Sequence, residues 1–259
     1  MRIARWEPAG EFAGKPALRQ GGHVLVEIPD LHLYHDHVDR EAAPLLGGAP
    51  EVVVFLSKHR SESGTPSLTV HPIGNFGGAD FGGKPGTLVP TAPRIMTDVL
   101  RGIRREATGL PYEVTFEATH HGPSLESPAF FIEAGSTERE WGDRAAAEAL
   151  MRAILSATRS SSPIAIGVGG GHYVPRLTDV ALSRDVAFGH LLAGHALPFL
   201  TDAMIDQVVA RTPGATLVYF HRKAIEKATL RDLAARFEAR GLRSVREDDL
   251  APLPPKQSY

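Results

Sequence analysis

Apolar positions along this chain follow two rhythms in alternation. Short runs rich in β-branched and aromatic residues, at 23–28, 51–56, 67–70, 113–118, 129–132, 164–168 and 215–220, are bounded by Gly, Pro or Ser and predict strands. Four of them (51–56, 129–132, 164–168 and 215–220) are almost wholly apolar, as expected for strands covered on both faces. Between the runs the period lengthens. Ile95, Val99, Ile103 and Ala107 recur every four residues after Pro93, with Gly109 just beyond, which predicts an amphipathic helix. Residues 137–158 predict the longest helix, with Ala146, Leu150, Ala153, Ile154 and Ala157 on one face and a capping-box spacing at Thr137 and Glu140. Two more helices are expected at 199–210 and 224–240, the latter turning Leu230, Leu233 and Phe237 inward and stopping at Gly241. Residues 72–92 have no period and predict a long loop, and 251–259 an irregular tail. Strands alternating with helices imply an α/β fold of three layers, a mixed and largely parallel sheet flanked by helices, in a single domain over 1–259.

Composition narrows the chemistry. The chain has 259 residues, 42% hydrophobic and 22% charged, and no apolar run approaches the ~20 residues that span a bilayer. Its first residues lack the apolar stretch of a secretory signal, so a cytoplasmic location is expected. There is no cysteine, which removes disulfides, thiolate nucleophiles and sulfur-ligated zinc, and leaves His, Asp and Glu to hold any metal. A net charge of −2 argues against a globally basic nucleic-acid binder. A local basic face is still available. Arg94, Arg101, Arg104 and Arg105 share one side of the helix after Pro93, and Arg236, Arg240, Arg243 and Arg246 form a second series.

Six predicted strand ends carry histidine: Ser57-Lys58-His59, His71 before Gly74-Asn75, Thr119-His120-His121-Gly122-Pro123, Gly169-Gly170-Gly171-His172, His190 after Ala187-Phe188-Gly189, and His221. In an open α/β sheet, ligands gather beyond the carboxyl ends of the strands, so the polar site is expected at that edge. Neutral imidazole is both a common metal ligand and a common general base. With Glu117, Glu126 and Glu133 near in sequence, these histidines suit one or two zinc ions that would lower the pKa of a water toward ~7. Asn75 can donate to an oxyanion or orient a carbonyl. The glycine run lacks the lysine of a nucleotide loop and reads as a tight turn presenting His172. His23, His32, His35, His37 and His195 read as surface or satisfied histidines. No serine sits in a nucleophile elbow, which favours attack by water. Since His120 and His121 leave adjacent backbone positions in different directions, only one of the two is expected to face the reacting group or its metal.

The blocks Ser57-Lys58-His59, Leu68-Thr69-Val70-His71-Pro72-Ile73-Gly74-Asn75, Glu117-Ala118-Thr119-His120-His121-Gly122-Pro123, Phe131-Ile132-Glu133-Ala134-Gly135-Ser136, Gly169-Gly170-Gly171-His172-Tyr173-Val174-Pro175 and Ala187-Phe188-Gly189-His190 occur in order. Together they resemble the D-aminoacyl-tRNA deacylases of the archaeal and plant type. The resemblance implies hydrolysis of the ester joining a D-amino acid to tRNA, with zinc as cofactor and a fold akin to peptidyl-tRNA hydrolases and purine nucleoside phosphorylases. It also carries over His120, His121, Glu133, His172 and His190 as site residues. The division between metal and substrate contacts stays open. The working assignment takes His59, His71, His121, Glu133 and His190 as metal ligands, and His120, His121, His172 and Asn75 as catalytic groups. Lys58, Arg101, Arg104 and Arg105 are the expected tRNA contacts, with D-aminoacyl-tRNA as partner and neither a membrane nor an obligatory protein partner. The alternatives are a peptidyl-tRNA hydrolase or nucleoside phosphorylase-like enzyme, and a non-catalytic zinc- or RNA-binding protein.

Overall fold

Two separate four-stranded sheets, rather than one, carry the alternating strands and helices. The computed structural model describes residues 5–254. An antiparallel meander comes first, β1 (Glu7–Phe12), β2 (Lys15–Gln20) and β3 (His23–Leu25), followed by helix α1 (Val38–Leu46). The first main sheet has the order β4-β7-β5-β6, from β4 (Val53–Lys58), β5 (Ser67–Pro72), β6 (Glu113–Phe116) and β7 (Ala129–Gly135). Its pairs β4/β7 and β5/β6 are parallel, and β5/β7 is antiparallel. The second sheet is parallel throughout, in the order β11-β10-β8-β9, from β8 (Ile164–Val168), β9 (Ala187–Leu192), β10 (Ala215–Phe220) and β11 (Arg243–Val245). The expected mixed, largely parallel α/β architecture is therefore present, split in two.

Helix α2 (Pro93–Glu106) joins the halves. It packs against β5 and β6 of the first sheet and β9 of the second, and its Thr97 hydroxyl accepts the Phe188 N–H at 2.9 Å. One core cluster contains Leu68, Val70, Phe116 and Phe130 from the first sheet with Ala165, Phe188 and Leu191 from the second. Each large apolar side chain removed from water there is worth ~1.5–3 kcal/mol.

The period of two along β5 and β7 divides the first sheet into unlike faces. Leu68, Val70, Phe130 and Ile132 point into the core shared with the second sheet. Ser67, Thr69 and His71 on β5, with Phe131 and Glu133 on β7, take the alternate positions, and the register sets Thr69 opposite Glu133 and His71 opposite Phe131. Phe55, Ile73, Leu125 and Phe131 make a smaller apolar cluster on that second face.

Several expected boundaries move. The 137–158 helix breaks into α3 (Glu138–Trp141) and α4 (Arg144–Leu155), because the Asp143 carboxylate accepts the Ala145 N–H and starts a new helix after Gly142. The Thr137–Glu140 capping box forms as the spacing predicts. Helices α1, with Pro44 inside it, and α5 (Pro175–Ser183), and strands β1, β2 and β11, lie outside the elements expected from the sequence. A 3₁₀ turn (Gly194–Phe199) precedes α6 (Asp202–Ala210), whose N-cap is Thr201, and α7 (Lys227–Glu238) is the last helix. Residues 73–92 hold no strand or helix, yet Ile73, Asn75, Phe76, Leu88 and Val89 in them are buried. Of the expected tail, Leu253 donates to the Ser183 carbonyl, whereas residues 255–259 lie outside those described. Among the described residues, no helix is long and apolar enough to cross a membrane.

Candidate functional site

On the polar face of the first sheet, five histidines and two glutamates form one continuous cluster. Three sets of ligand atoms lie within 4.8 Å of one another: His71, His120 and His121; Glu117, His120 and His172; and His59, Glu117 and Glu133. Glu117, His120, His121 and His172 lie just beyond the carboxyl ends of β6 and β8 as expected, and His71 and Glu133, inside β5 and β7, extend the cluster across the sheet face. The cause is the antiparallel β5/β7 pair, which brings the middle of β7 beside the end of β5. His71 is inside β5 rather than after it, and His59 follows β4 at the opposite end of that pair.

The first set is oriented by backbone carbonyls. Nδ1 of His71, His120 and His121 faces the carbonyls of Pro72, Ala118 and Gly122 at 3.1, 2.8 and 2.7 Å. Such bonds place the proton on Nδ1 and leave Nε2 as the lone-pair nitrogen in each ring. The expectation that only one of the adjacent pair would face the site is corrected. His121 adopts a left-handed backbone (φ 42°), which swings its ring to the same side as that of His120, with ring centroids 4.3 Å apart. A non-glycine residue in that region costs on the order of 1–3 kcal/mol, retained where the surroundings demand it.

Glu117 links the other two sets. It is fully buried, and its carboxylate lies 2.8 Å from His172 Nε2, 3.3 Å from His59 Nδ1 and 3.6 Å from His120 Nε2. Glu133 lies 3.3 Å from His59 Nδ1 and 3.9 Å from His71 Nε2. His59 Nε2 meets the Tyr173 hydroxyl at 2.6 Å, and the Trp141 indole donates to the His59 carbonyl.

The electrostatics are those of a cation site. Burial carries His120 well below the ordinary histidine value and His121 down to about 4, and neighbouring His71 adds to both shifts. Burial opposes the charged form of Glu133, but the neighbouring His59 and His71 outweigh it and hold Glu133 well below the usual carboxylate range. Glu117 is likewise lowered against its burial, chiefly by His172. His59 and His71 are pushed down by burial and raised more strongly by the two carboxylates, ending above the ordinary value.

Other expected site residues fall elsewhere. His190 is inside β9, with Nδ1 on the Thr119 hydroxyl and Nε2 on the Val89 carbonyl, both at 3.1 Å, so it has no ring nitrogen left for a metal. Asn75 uses its amide hydrogens on the Gly82 and Lys84 carbonyls, where it ties down the 78–86 loop rather than an oxyanion. Arg101 is buried and donates to the carbonyls of Ala181, Arg184 and Val186, so it is not a tRNA contact. Arg104 and Arg105 are exposed at the end of α2 that leads to the start of β6. Lys58 is exposed beside His59, 4.9 Å over the Trp141 ring. Glu126 pairs with Arg40 at the surface. Tyr173 is a member that sequence reasoning left unassigned, although it stands beside His172 inside one of the blocks that carry the resemblance.

Beside His120 and His121 opens a cleft of about 210 Å³, bounded by Gly74–Gly78, Asp80, Phe81, His195, Ala196 and Phe199. It continues the histidine cluster to solvent.

Comparison with known proteins agrees with this geometry. The sequence profile of the family described as D-aminoacyl-tRNA deacylase matches residues 46–245. A D-aminoacyl-tRNA deacylase of Methanosarcina mazei is 36% identical over 261 aligned positions, covering 96% of this chain and 86% of the relative. One from Thermoplasma acidophilum is 37% identical, covering 85% and 83%. The Methanococcoides burtonii relative is 39% identical over 94% of the chain, which spans only 51% of that longer protein. A crystal structure described as a conserved protein of unknown function superposes with a TM-score of 0.86 at 33% identity, covering 96% of this chain and 88% of the other. With its histidine and glutamate cluster falling inside the matched span, the chain belongs to the D-aminoacyl-tRNA deacylase family.

Proposed function

We propose that the protein hydrolyses the ester between a D-amino acid and the terminal ribose of tRNA, releasing both. The observation that carries this reading is the convergence of His59, His71, His120, His121, His172, Glu117 and Glu133 on one sheet face, within the span shared with the family. Charged tRNA as substrate puts the work in the cytoplasm.

The donor set fits a divalent cation such as zinc. His71 Nε2 is buried without a hydrogen-bond partner, the ligands are nitrogen and oxygen only, and His120 and His121 are neutral near pH 7. His71, His120 and His121 would hold one ion, and Glu117 with His59 and Glu133 a second. When bound, the metal supplies Lewis acidity and lowers the pKa of water.

The chain's own groups do the rest. His172 is the exposed member, with 42% of its side chain accessible, and its Nε2 is engaged by Glu117. Its Nδ1 is then the lone-pair nitrogen and accepts the proton of the attacking water. The water oxygen bonds to the carbonyl carbon, the ester C–O bond breaks, and His172 returns the proton to the departing ribose oxygen. Glu117 steadies the imidazolium between the two transfers. Selection for the D form comes from clash or unpaired polar groups against the L form.

Rates on D-Tyr-tRNA and L-Tyr-tRNA, with and without a chelator, test the reading. The expected result is hydrolysis of the D form alone, lost on chelation. Equal rates on both enantiomers would overturn the stereochemical claim, and no hydrolysis of any charged tRNA would overturn the enzyme.

A further inference from the structure

The aminoacyl ester sits on the ribose of the last nucleoside of tRNA. A base therefore lies only a sugar's width from the reacting carbon, and whatever space adjoins the histidine cluster must receive it. The cleft beside His120 and His121, about 210 Å³, is of the size of one nucleoside and not of a folded nucleic-acid element.

Its rim is aromatic and uncovered. Phe81 is 65% and Phe199 49% exposed, among the most exposed large apolar side chains of the described residues. Large apolar surface left open beside a site marks a place where a ligand docks. The Phe199 ring and the loop that carries Phe81 are each held by close backbone contacts. Phe199 lies against Gly77, where an added Cβ would come within 2.8 Å of the ring. The loop carrying Phe81 is tied at Gly82, whose added Cβ would fall 1.7 Å from the Leu33 carbonyl oxygen, and by the Asn75 bonds to Gly82 and Lys84. Among the described residues, no lysine or arginine lines the cleft, so it is not built for phosphate, and Asp80 is the one carboxylate, able to accept from an exocyclic amine.

We propose that this cleft binds the terminal adenine of the charged tRNA, stacked on Phe81 and Phe199, so that the ester is delivered to the histidines. The proposal rests on the deacylase reading above, but its test needs no turnover. Sequence-tolerant stacking of a base on fixed aromatic rings is a common means of holding single-stranded ends.

The test is an NMR titration of the full chain with the trinucleotide CCA, with the same trinucleotide lacking its last base, and with AMP. CCA is expected to bind ~10-fold tighter than the abasic form, with AMP competing. Phe81→Ala with Phe199→Ala should weaken CCA ~10-fold and leave the abasic trinucleotide unchanged. Phe199→Trp should restore stacking, and Gly77→Ala should mimic the loss by displacing the Phe199 ring. Equal binding of CCA and the abasic form by the unmodified protein overturns the proposal. So does a double alanine variant that binds CCA normally but changes its preference between D-Tyr-tRNA and D-Ala-tRNA, for then the cleft receives the amino-acid side chain. Base-dependent binding by a protein without deacylase activity would sink the deacylase reading alone.

Discussion

His172 Nε2 lies 2.8 Å from the carboxylate of Glu117, joining a loop that leaves the second sheet to a residue buried at the end of a strand in the first. The two sheets are thereby tied by a charge-assisted hydrogen bond at the point where the polar cluster opens to solvent. Around it the chain after β6 is stitched in the same way, Ala118 donating to the His172 carbonyl and Thr119 to that of Leu191. Only with both halves docked does the cluster include His172.

Glu117→Gln keeps the shape of the side chain and removes its charge from three histidines. Metal affinity and single-turnover deacylation are both expected to fall ~10–100-fold. Thermal stability should fall, because His59 stays buried without one of the carboxylates that pair with it. Metal titration, rapid-quench kinetics and melting measure these together. An unchanged rate with unchanged metal content would remove Glu117 from the site.

Adding zinc to chelator-treated protein should raise the melting temperature, since a ligand that binds only the native state at a hundred times its Kd stabilises by ~2.7 kcal/mol. His71→Ala and His121→Ala should abolish most of that shift. A shift that persists in both variants would place the metal elsewhere.

His190 gives an acid-sensitive core. Burial takes it from 6.5 to about 3, while the unfolded chain protonates it near 6.5. A histidine with a depressed folded pKa contributes stability above its unfolded value and loses it as pH falls. Stability should therefore drop below about pH 6 by up to ~1.4 kcal/mol per pH unit from this residue. His190→Gln should show a shallower acid slope in denaturant titrations between pH 6 and pH 4. An identical slope would contradict this account.

Arg101 and its neighbours on α2 should separate in behaviour. Arg101→Ala leaves the carbonyls of Ala181, Arg184 and Val186 without their donor and is expected to cost ~3 kcal/mol in chemical denaturation. Arg104→Ala and Arg105→Ala, at exposed positions, should stay within ~0.5 kcal/mol of the parent. The reverse order would make the buried network irrelevant.

Much of the fold is legible locally. Continuous apolar runs such as Ile164–Val168 and Ala215–Phe220 are strands in the structure, and the four-residue recurrence from Ile95 to Ile103 is a helix. Elements whose apolar faces are narrow escape notice. Strand β1 is exposed at four of its six positions and offers almost no period, and α3 and α4 look like one helix until Asp143 is seen capping the second. In the site, residue type and clustering along the chain point to the doubled histidine, His59, His71, His172 and Glu133, which the structure brings together. They also point to His190, Asn75 and Arg101, whose polar atoms are consumed by nearby backbone.

Residue chemistry and short-range period are properties of the chain, so the sequence by itself determined the α/β class, the exclusion of sulfur ligands, the candidate histidines and the resemblance to a deacylase family. Which side chains share one face was decided by tertiary structure. The antiparallel β5/β7 register, the left-handed turn at His121 and the docking of the second sheet through His172 are long-range or conformational choices. Strand spacing along a chain does not encode pairing direction, and a polar residue reveals its role only when it is known which atoms satisfy it.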